Sequence, residues 1–123
     1  MFYLIEGIGV DLLEINRIKE ILSHNERFPK RILTKKEYAH YLTLAEHRSI
    51  EFLSGRFAAK EAFSKAYGSG IGKEFSFLDL EIMPNAKNKP IAKTDLYDGK
   101  IHLSISHSKD QVIAQVILEK SLD

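Results

Sequence analysis

The chain has 123 residues, 44% hydrophobic and 28% charged, with a net charge of +1; that length holds one core but not two, so a single domain over residues 1–123 is expected. The near-neutral balance excludes a disordered chain and wholesale coating of nucleic acid, while leaving room for local basic patches. Cysteine is absent, which excludes disulfides, thiolate chemistry and cysteine-ligated zinc and leaves oxygen or imidazole to hold any metal.

In chain order, "MFYLIEG" has no basic region and gains an acid at Glu6, unlike a secretory signal, so the cytoplasm is the expected compartment. Nor does any apolar run approach the ~20 residues of a membrane span. "FYLIEGIGVD" is apolar and broken by Gly7 and Gly9, as in a short strand with a bulge or a close backbone approach. It ends at Asp11. From there Leu12, Ile15, Ile18 and Leu22 stand at helical spacing, which predicts an amphipathic helix beginning near Asp11. "SHNERFPKRIL" reads as a connection with a helical turn after Pro29, and Thr34 as the N-cap of "KKEYAHYLTL", with Glu37 three residues on.

A long helix is predicted from Glu46 to Tyr67, stopped by Gly68. On its wheel Ile50, Leu53 and Phe57 form one stripe, Phe52, Phe63 and Tyr67 a second, and Gly55, Ala58, Ala59, Ala62 and Ala66 a strip of small side chains. The small strip suits close approach of a sheet, so the helix is placed across the sheet as the central packing element. Ser54, Glu61 and Lys65 share the narrow gap beside the first stripe. Beyond the glycines, "FSFLDLEIMP" reads as a strand closed by Pro84, "NAKNKPIAKTDLYDGK" as turn-rich, and "KIHLSISH", "SKDQ" and "VIAQVILE" as an antiparallel hairpin. By parity His107 falls on the side of Ile101, Leu103 and Ile105, where the strand stops.

Four features have both a plain and a chemical reading. Glu61 and Lys65 make an i,i+4 pair worth only ~0.3–0.5 kcal/mol, or a carboxylate set among core side chains that needs a cation. Asp11 with Glu14 resembles a capping box, yet it is also an acid at a strand end, where ligands often sit. "GSGIG" is a helix stop and a loose turn, or a nest of N–H groups that binds an anion; it is neither a Walker loop nor a dinucleotide fingerprint, whose glycines precede a helix. His107 is a structural or a catalytic histidine; His102 differs from it in strand parity, so no zinc site is read.

Together, "GIGVDLLEINRI", "FLSGRFAAKEAFSKAYGSGIG" and "LSISHSKDQVIAQVILE" resemble the holo-[acyl-carrier-protein] synthases, small members of the 4'-phosphopantetheinyl transferase superfamily, in the right order over most of the chain. The resemblance implies an α+β fold, a small antiparallel-rich sheet packed on a long central helix. It implies a transferase of fatty acid biosynthesis that moves the 4'-phosphopantetheine arm of coenzyme A onto a serine of apo acyl carrier protein, releasing adenosine 3',5'-bisphosphate. By motif position Asp11 and Glu61 would bind Mg2+, and Lys65 would contact the phosphates; these three would be the catalytic group, with the proton acceptor open between Asp11 and Glu61. Gly68, Ser69, Gly70 and Gly72 would line the coenzyme A cleft with His107 and Ser108, where threonine is frequent in the family. Arg56 would reach a coenzyme A phosphate across a subunit boundary, since the family forms homotrimers with active sites at the interfaces.

The acidic carrier protein would be met by basic residues of the first helix and the turn after it, Arg17 and Arg27 foremost among Lys19, Lys30 and Arg31, with neither nucleic acid nor membrane as partner. Two other classes use the same residues. One is a metal-dependent phosphohydrolase with water in place of serine; the other is a non-catalytic nucleotide-binding module in which the glycine turn and Lys65 hold phosphate.

Overall fold

The structure, a computed structural model, describes residues 2–122. Its elements run β1 (Tyr3–Glu14), α1 (Ile15–His24), α2 (Phe28–Ile32), α3 (Lys35–Tyr41), α4 (Glu46–Tyr67), a 3-10 turn (Phe77–Asp79), β2 (Glu81–Pro84), β3 (Pro90–Lys93), β4 (Lys100–His107) and β5 (Gln111–Ser121). Strands β1, β5 and β4 form an antiparallel sheet in that order, and β2 and β3 form a separate antiparallel pair. Val112, Ala114, Val116 and Leu118 of β5 are buried with Leu13 of β1 against Leu53, Ala58, Ala62 and Phe63 of α4. This is the expected α+β arrangement, with the long helix lying across the sheet.

Local signals set several boundaries. Thr34 accepts from the Glu37 amide while Glu37 Oε1 accepts from the Thr34 amide at 2.8 Å, so the capping box of α3 forms. Helix α4 ends on Gly68, whose φ of 94° is left-handed, a conformation glycine adopts without a Cβ penalty. The β4–β5 hairpin pairs Lys100 with Glu119 through His107 with Val112, and β1 is bulged between Ile5 and Gly7.

Two expectations need correction. β1 does not stop at Asp11: it continues to Glu14, and Asp11 stands opposite Ala114 in the ladder. α1 begins at Ile15 without a side-chain cap, its first amide donating to the Asp110 carbonyl at 2.9 Å. Asp11 is therefore no cap, and Leu12, counted as helical, lies exposed on the strand. The helical spacing misled at Leu12 alone, since Ile15, Ile18 and Leu22 do lie on α1, whereas residues 11–14 alternate in and out as strand residues. Pairing with β5 gives them partners that one capping bond cannot match.

The second correction lies after the glycines. Phe75 is buried, but Ser76 and Asp79 close a capping box around the 3-10 turn, so β2 starts only at Glu81. Its partner β3 forms in the segment read as turns, because Asn85 Oδ1 accepts the amides of Lys87 (2.9 Å) and Lys89 (3.0 Å) and folds the chain back.

Candidate active site

On the face of β1 turned to α4 stand Gly7, Gly9, Asp11 and Leu13. A Cβ at Gly9 would lie 1.9 Å from the Ala62 carbonyl oxygen, and one at Gly7 1.9 Å from that of Ala66. Only glycine permits such an approach, and the small side chains of α4 supply its other half. Asp11, two residues beyond Gly9, is thereby brought to Glu61 and Lys65. Lys65 Nζ donates to the Val10 carbonyl at 2.9 Å and to Asp11 Oδ1 at 3.2 Å. The ion pair of Lys65 is thus with the strand rather than with Glu61 one turn away on its own helix.

Burial pushes the Glu61 carboxyl above the ordinary carboxylate range, and the charge of Asp11 pushes it further; Lys65 and Arg17 act in the opposite sense. Two acids from β1 and α4 therefore share a field with cations from α4 and α1. Lys65, its side chain 51% exposed, bonds to Asp11 alone and reaches Glu61 only through its field, so no hydrogen bond from a cation holds the Glu61 carboxylate. Oxygen donors alone make up the pair, and among the described residues no third carboxylate or imidazole completes a cluster around them. A hard dication that takes its other ligands from water and substrate oxygen, as magnesium does, fits that donor set.

The glycine turn follows directly from α4. Gly68 and Gly70 (φ 68°) both donate their amides to the Ser64 carbonyl, and Gly72 donates to that of Phe75. These three N–H groups are used inside the turn and are not available as an anion nest, while Ser69 Oγ donates to the Gly70 carbonyl at 2.7 Å. What the glycines contribute is the backbone path. Ser108 closes the β4–β5 turn, its Oγ accepting from the Gln111 amide at 3.2 Å. Arg17 and Arg27 are exposed on the α1 side, Arg17 close enough to Glu61 to affect its titration.

A second basic site lies on another face of α4. Arg56, His107, Arg48, Glu51 and Phe52 line a cavity of about 550 Å³ that the β2–β3 hairpin closes with Asn88. His107 Nδ1 is 3.3 Å from Glu51 Oε2, and the Arg56 guanidinium lies 4.1 Å over the Phe52 ring. Sequence reasoning found Arg56 and His107 but missed Arg48 and Glu51. Their positions, three and four residues apart with Phe52, Gly55 and Arg56, mark one helix face and were open to recognition. Arg56 and Lys65, nine residues apart, project about 180° from each other around the axis, and neither Asp11, Glu61 nor Lys65 lines this cavity.

Two carboxylates flanked by Lys65 and Arg17, with a separate cavity lined by Arg48, Arg56 and His107, have the chemistry of an α+β protein that handles phosphate-bearing ligands. Residues 7–117 match the family described as the 4'-phosphopantetheinyl transferase superfamily. The chain belongs to that superfamily. It is 52% identical over 120 residues to a holo-[acyl-carrier-protein] synthase of Bacillus velezensis, covering 95% of this chain and 98% of the relative. A relative of the same name from Bacillus subtilis is 48% identical over 118 residues, with 95% and 98% covered. Among solved structures, the holo-(acyl-carrier-protein) synthase of Bacillus anthracis in complex with CoA (3',5'-ADP) superposes with a TM-score of 0.89 at 51% identity, over 95% of this chain and 98% of that one. The Neisseria meningitidis enzyme gives 0.87 at 33% identity, over 95% and 100%.

Proposed function

We propose that this chain, as one domain, transfers the 4'-phosphopantetheine group of coenzyme A to a serine hydroxyl of an apo acyl carrier protein, releasing adenosine 3',5'-bisphosphate for fatty acid synthesis in the cytoplasm. The observation that carries the reading is the bond of Lys65 to Asp11 across the strand–helix contact, with Glu61 in the field of both, in a chain of this superfamily. Asp11 and Glu61 would hold Mg2+, which when bound supplies positive charge to the pyrophosphate.

Lys65 is the protein's own countercharge for the phosphoryl oxygens: its ammonium, already at the mouth of the acid pair, offsets negative charge that builds as the serine oxygen attacks the pantetheine-side phosphorus. The bond from that phosphorus to the bridging oxygen breaks, the serine proton passes to the Asp11 and Glu61 carboxylate pair, and the bisphosphate departs as a stabilised anion, so no covalent enzyme intermediate is needed. The turn from Gly68 to Gly72, Ser69 included, lines the coenzyme A cleft. Arg56, His107 and Ser108 line it as well, and Arg48, in the same cavity as Arg56 and His107, adds a cation there.

Since Arg56 and Lys65 leave α4 on opposite sides, a coenzyme A that meets Arg56 of one chain and Lys65 of another fits the geometry. The outer face of the sheet supports such an assembly: Ile8, Val10, Leu12 and Ile113 are 62%, 48%, 62% and 43% exposed, an apolar surface of the kind covered in oligomers. The assembly proposed is a homotrimer with sites at its interfaces. Arg17 and Arg27 face the carrier protein and steer its acidic surface by charge, which mainly raises the on-rate.

The test is mass spectrometry of an apo carrier protein incubated with the chain, coenzyme A and Mg2+. Gain of the phosphopantetheine mass on the carrier is expected. Bisphosphate release without any carrier would instead identify a hydrolase, and tight binding without release a nucleotide-binding module.

A further inference from the structure

Lys60 and Glu37 are both fully buried, Lys60 Nζ donating to Glu37 Oε1 at 2.6 Å and to the Ile32 carbonyl at 2.7 Å. Burial pushes the Lys60 ammonium below its ordinary range against the opposing pull of Glu37. An ion pair in such a place adds little stability over apolar side chains of similar volume, because desolvating the two charges offsets their attraction. The groups it touches give it another role.

The second carboxylate oxygen, Glu37 Oε2, accepts the Ile82 amide at 2.7 Å. The carbonyl of the same residue accepts Arg56 Nε–H at 3.2 Å. A single residue of β2 is thus gripped at its amide by Glu37 and grips Arg56 with its carbonyl. Burial lowers the Arg56 guanidinium to about 10, still charged at neutral pH, and the field of Glu37 acts to raise it. Phe52 holds the flat face of the guanidinium, so the Ile82 carbonyl decides how it is turned in the plane above that ring.

We propose that Glu37, its buried charge neutralised by Lys60, is a positioning residue for coenzyme A recognition, locking β2 so that the Ile82 carbonyl aims Arg56 into the cavity it shares with Arg48 and His107, where it meets a phosphate group. The proposal rests on the assignment of Arg56 to coenzyme A made above. It requires that the acceptor on the Ile82 amide, rather than the charge of the pair, governs coenzyme A affinity.

E37L/K60M and E37Q/K60M separate the two, since neither leaves a buried charge unpaired. The first removes the acceptor from the Ile82 amide and also from the Thr34 amide that caps α3; the second retains one amide oxygen at position 37, and a melt of both variants reads the loss of the cap apart from KM. E37L/K60M is expected to raise KM for coenzyme A roughly tenfold, the loss of one charge-assisted hydrogen bond. Its KM for the carrier should stay within about twofold. E37Q/K60M should restore KM for coenzyme A to within about threefold of the parent.

Equal coenzyme A KM values in the two double variants, or a loss spread evenly over both substrates, would make the pair a structural element only and overturn the proposal. Should E37L/K60M not fold, E37D keeps the charge while shortening its reach to Ile82. The same rise in coenzyme A KM is expected, and an unchanged value overturns the idea. R56A is the premise control. If its KM for coenzyme A is unchanged while the carrier is still modified, the role of Arg56 is wrong and the positioning role falls with it, leaving the transferase reading intact.

Discussion

An alanine at position 9 would put its Cβ 1.9 Å from the Ala62 carbonyl oxygen and 2.8 Å from the Ala66 amide nitrogen, both backbone atoms within α4. Real Cβ atoms essentially never come closer than 3.0 Å, so β1 and α4 must part by about 1.1 Å at that contact. Neither side can yield by rotating a side chain. Asp11 lies two residues along the same face of β1 and Lys65 is tied to Val10 between them, so the separation reaches the Asp11–Glu61 couple. A misplacement of about 1 Å is enough to lower turnover on the order of 10²-fold, and overpacking of this kind costs about 1–3 kcal/mol of stability.

The assay is bisphosphate release with saturating coenzyme A and apo carrier, alongside a thermal melt. Gly7→Ala makes the same 1.9 Å clash at Ala66 but four residues from Asp11, and it should melt as low while keeping more turnover. Gly55→Ala, whose Cβ would meet only Ile105 Cγ2 at 3.4 Å, should melt near the parent. A folded Gly9→Ala variant that turns over within about threefold of the parent would show that the strand–helix approach does not set the catalytic geometry.

Glu61→Gln should keep the fold and lose on the order of 10²-fold or more in turnover. Because the folded-state pKa of Glu61 is raised, its contribution to stability is present at low pH and lost as pH rises through that value. The same variant should therefore melt higher than the parent at pH 7 without magnesium, and added Mg2+ should raise the melting temperature of the parent alone; a lower melt for the variant would contradict the crowding of the two acids. Arg17→Glu should raise KM for the carrier more than for coenzyme A, by an amount that shrinks at high salt, and an equal effect on both substrates would remove Arg17 from the docking face. Mixing Glu61→Gln and Arg56→Ala chains in equal amounts under reassembling conditions, assayed at coenzyme A well below the KM of the Arg56→Ala chain, should recover about a quarter of the parent activity, because one interface in four pairs an intact Glu61 with an intact Arg56; no recovery would put both residues in one chain's site.

Much of this protein is legible along the chain because its signals are local. The capping box of Thr34 and Glu37, the glycine after Tyr67 and the alternation from Ile101 to Ile105 each involve residues within a few positions, so boundaries could be assigned before any packing was known. The alanine strip of α4 and the two glycines of β1 likewise announce a close approach, although not that each answers the other. Asp11 shows where local reading stops: the same residues fit a capping box and a paired strand, and a partner about a hundred positions away decided for the strand.

Composition and motif thus determined which acids and cations this chain carries and the family they resemble, since those properties belong to residues taken singly or in short runs. Which groups meet was settled by the folded core alone. Lys65 reaches Asp11 across 54 positions, Lys60 reaches Glu37 across 23, and Arg56 reaches Ile82 across 26. Contacts of that range depend on how a helix is rotated against a sheet, and that angle comes from the joint packing of many side chains, which no short window of sequence contains.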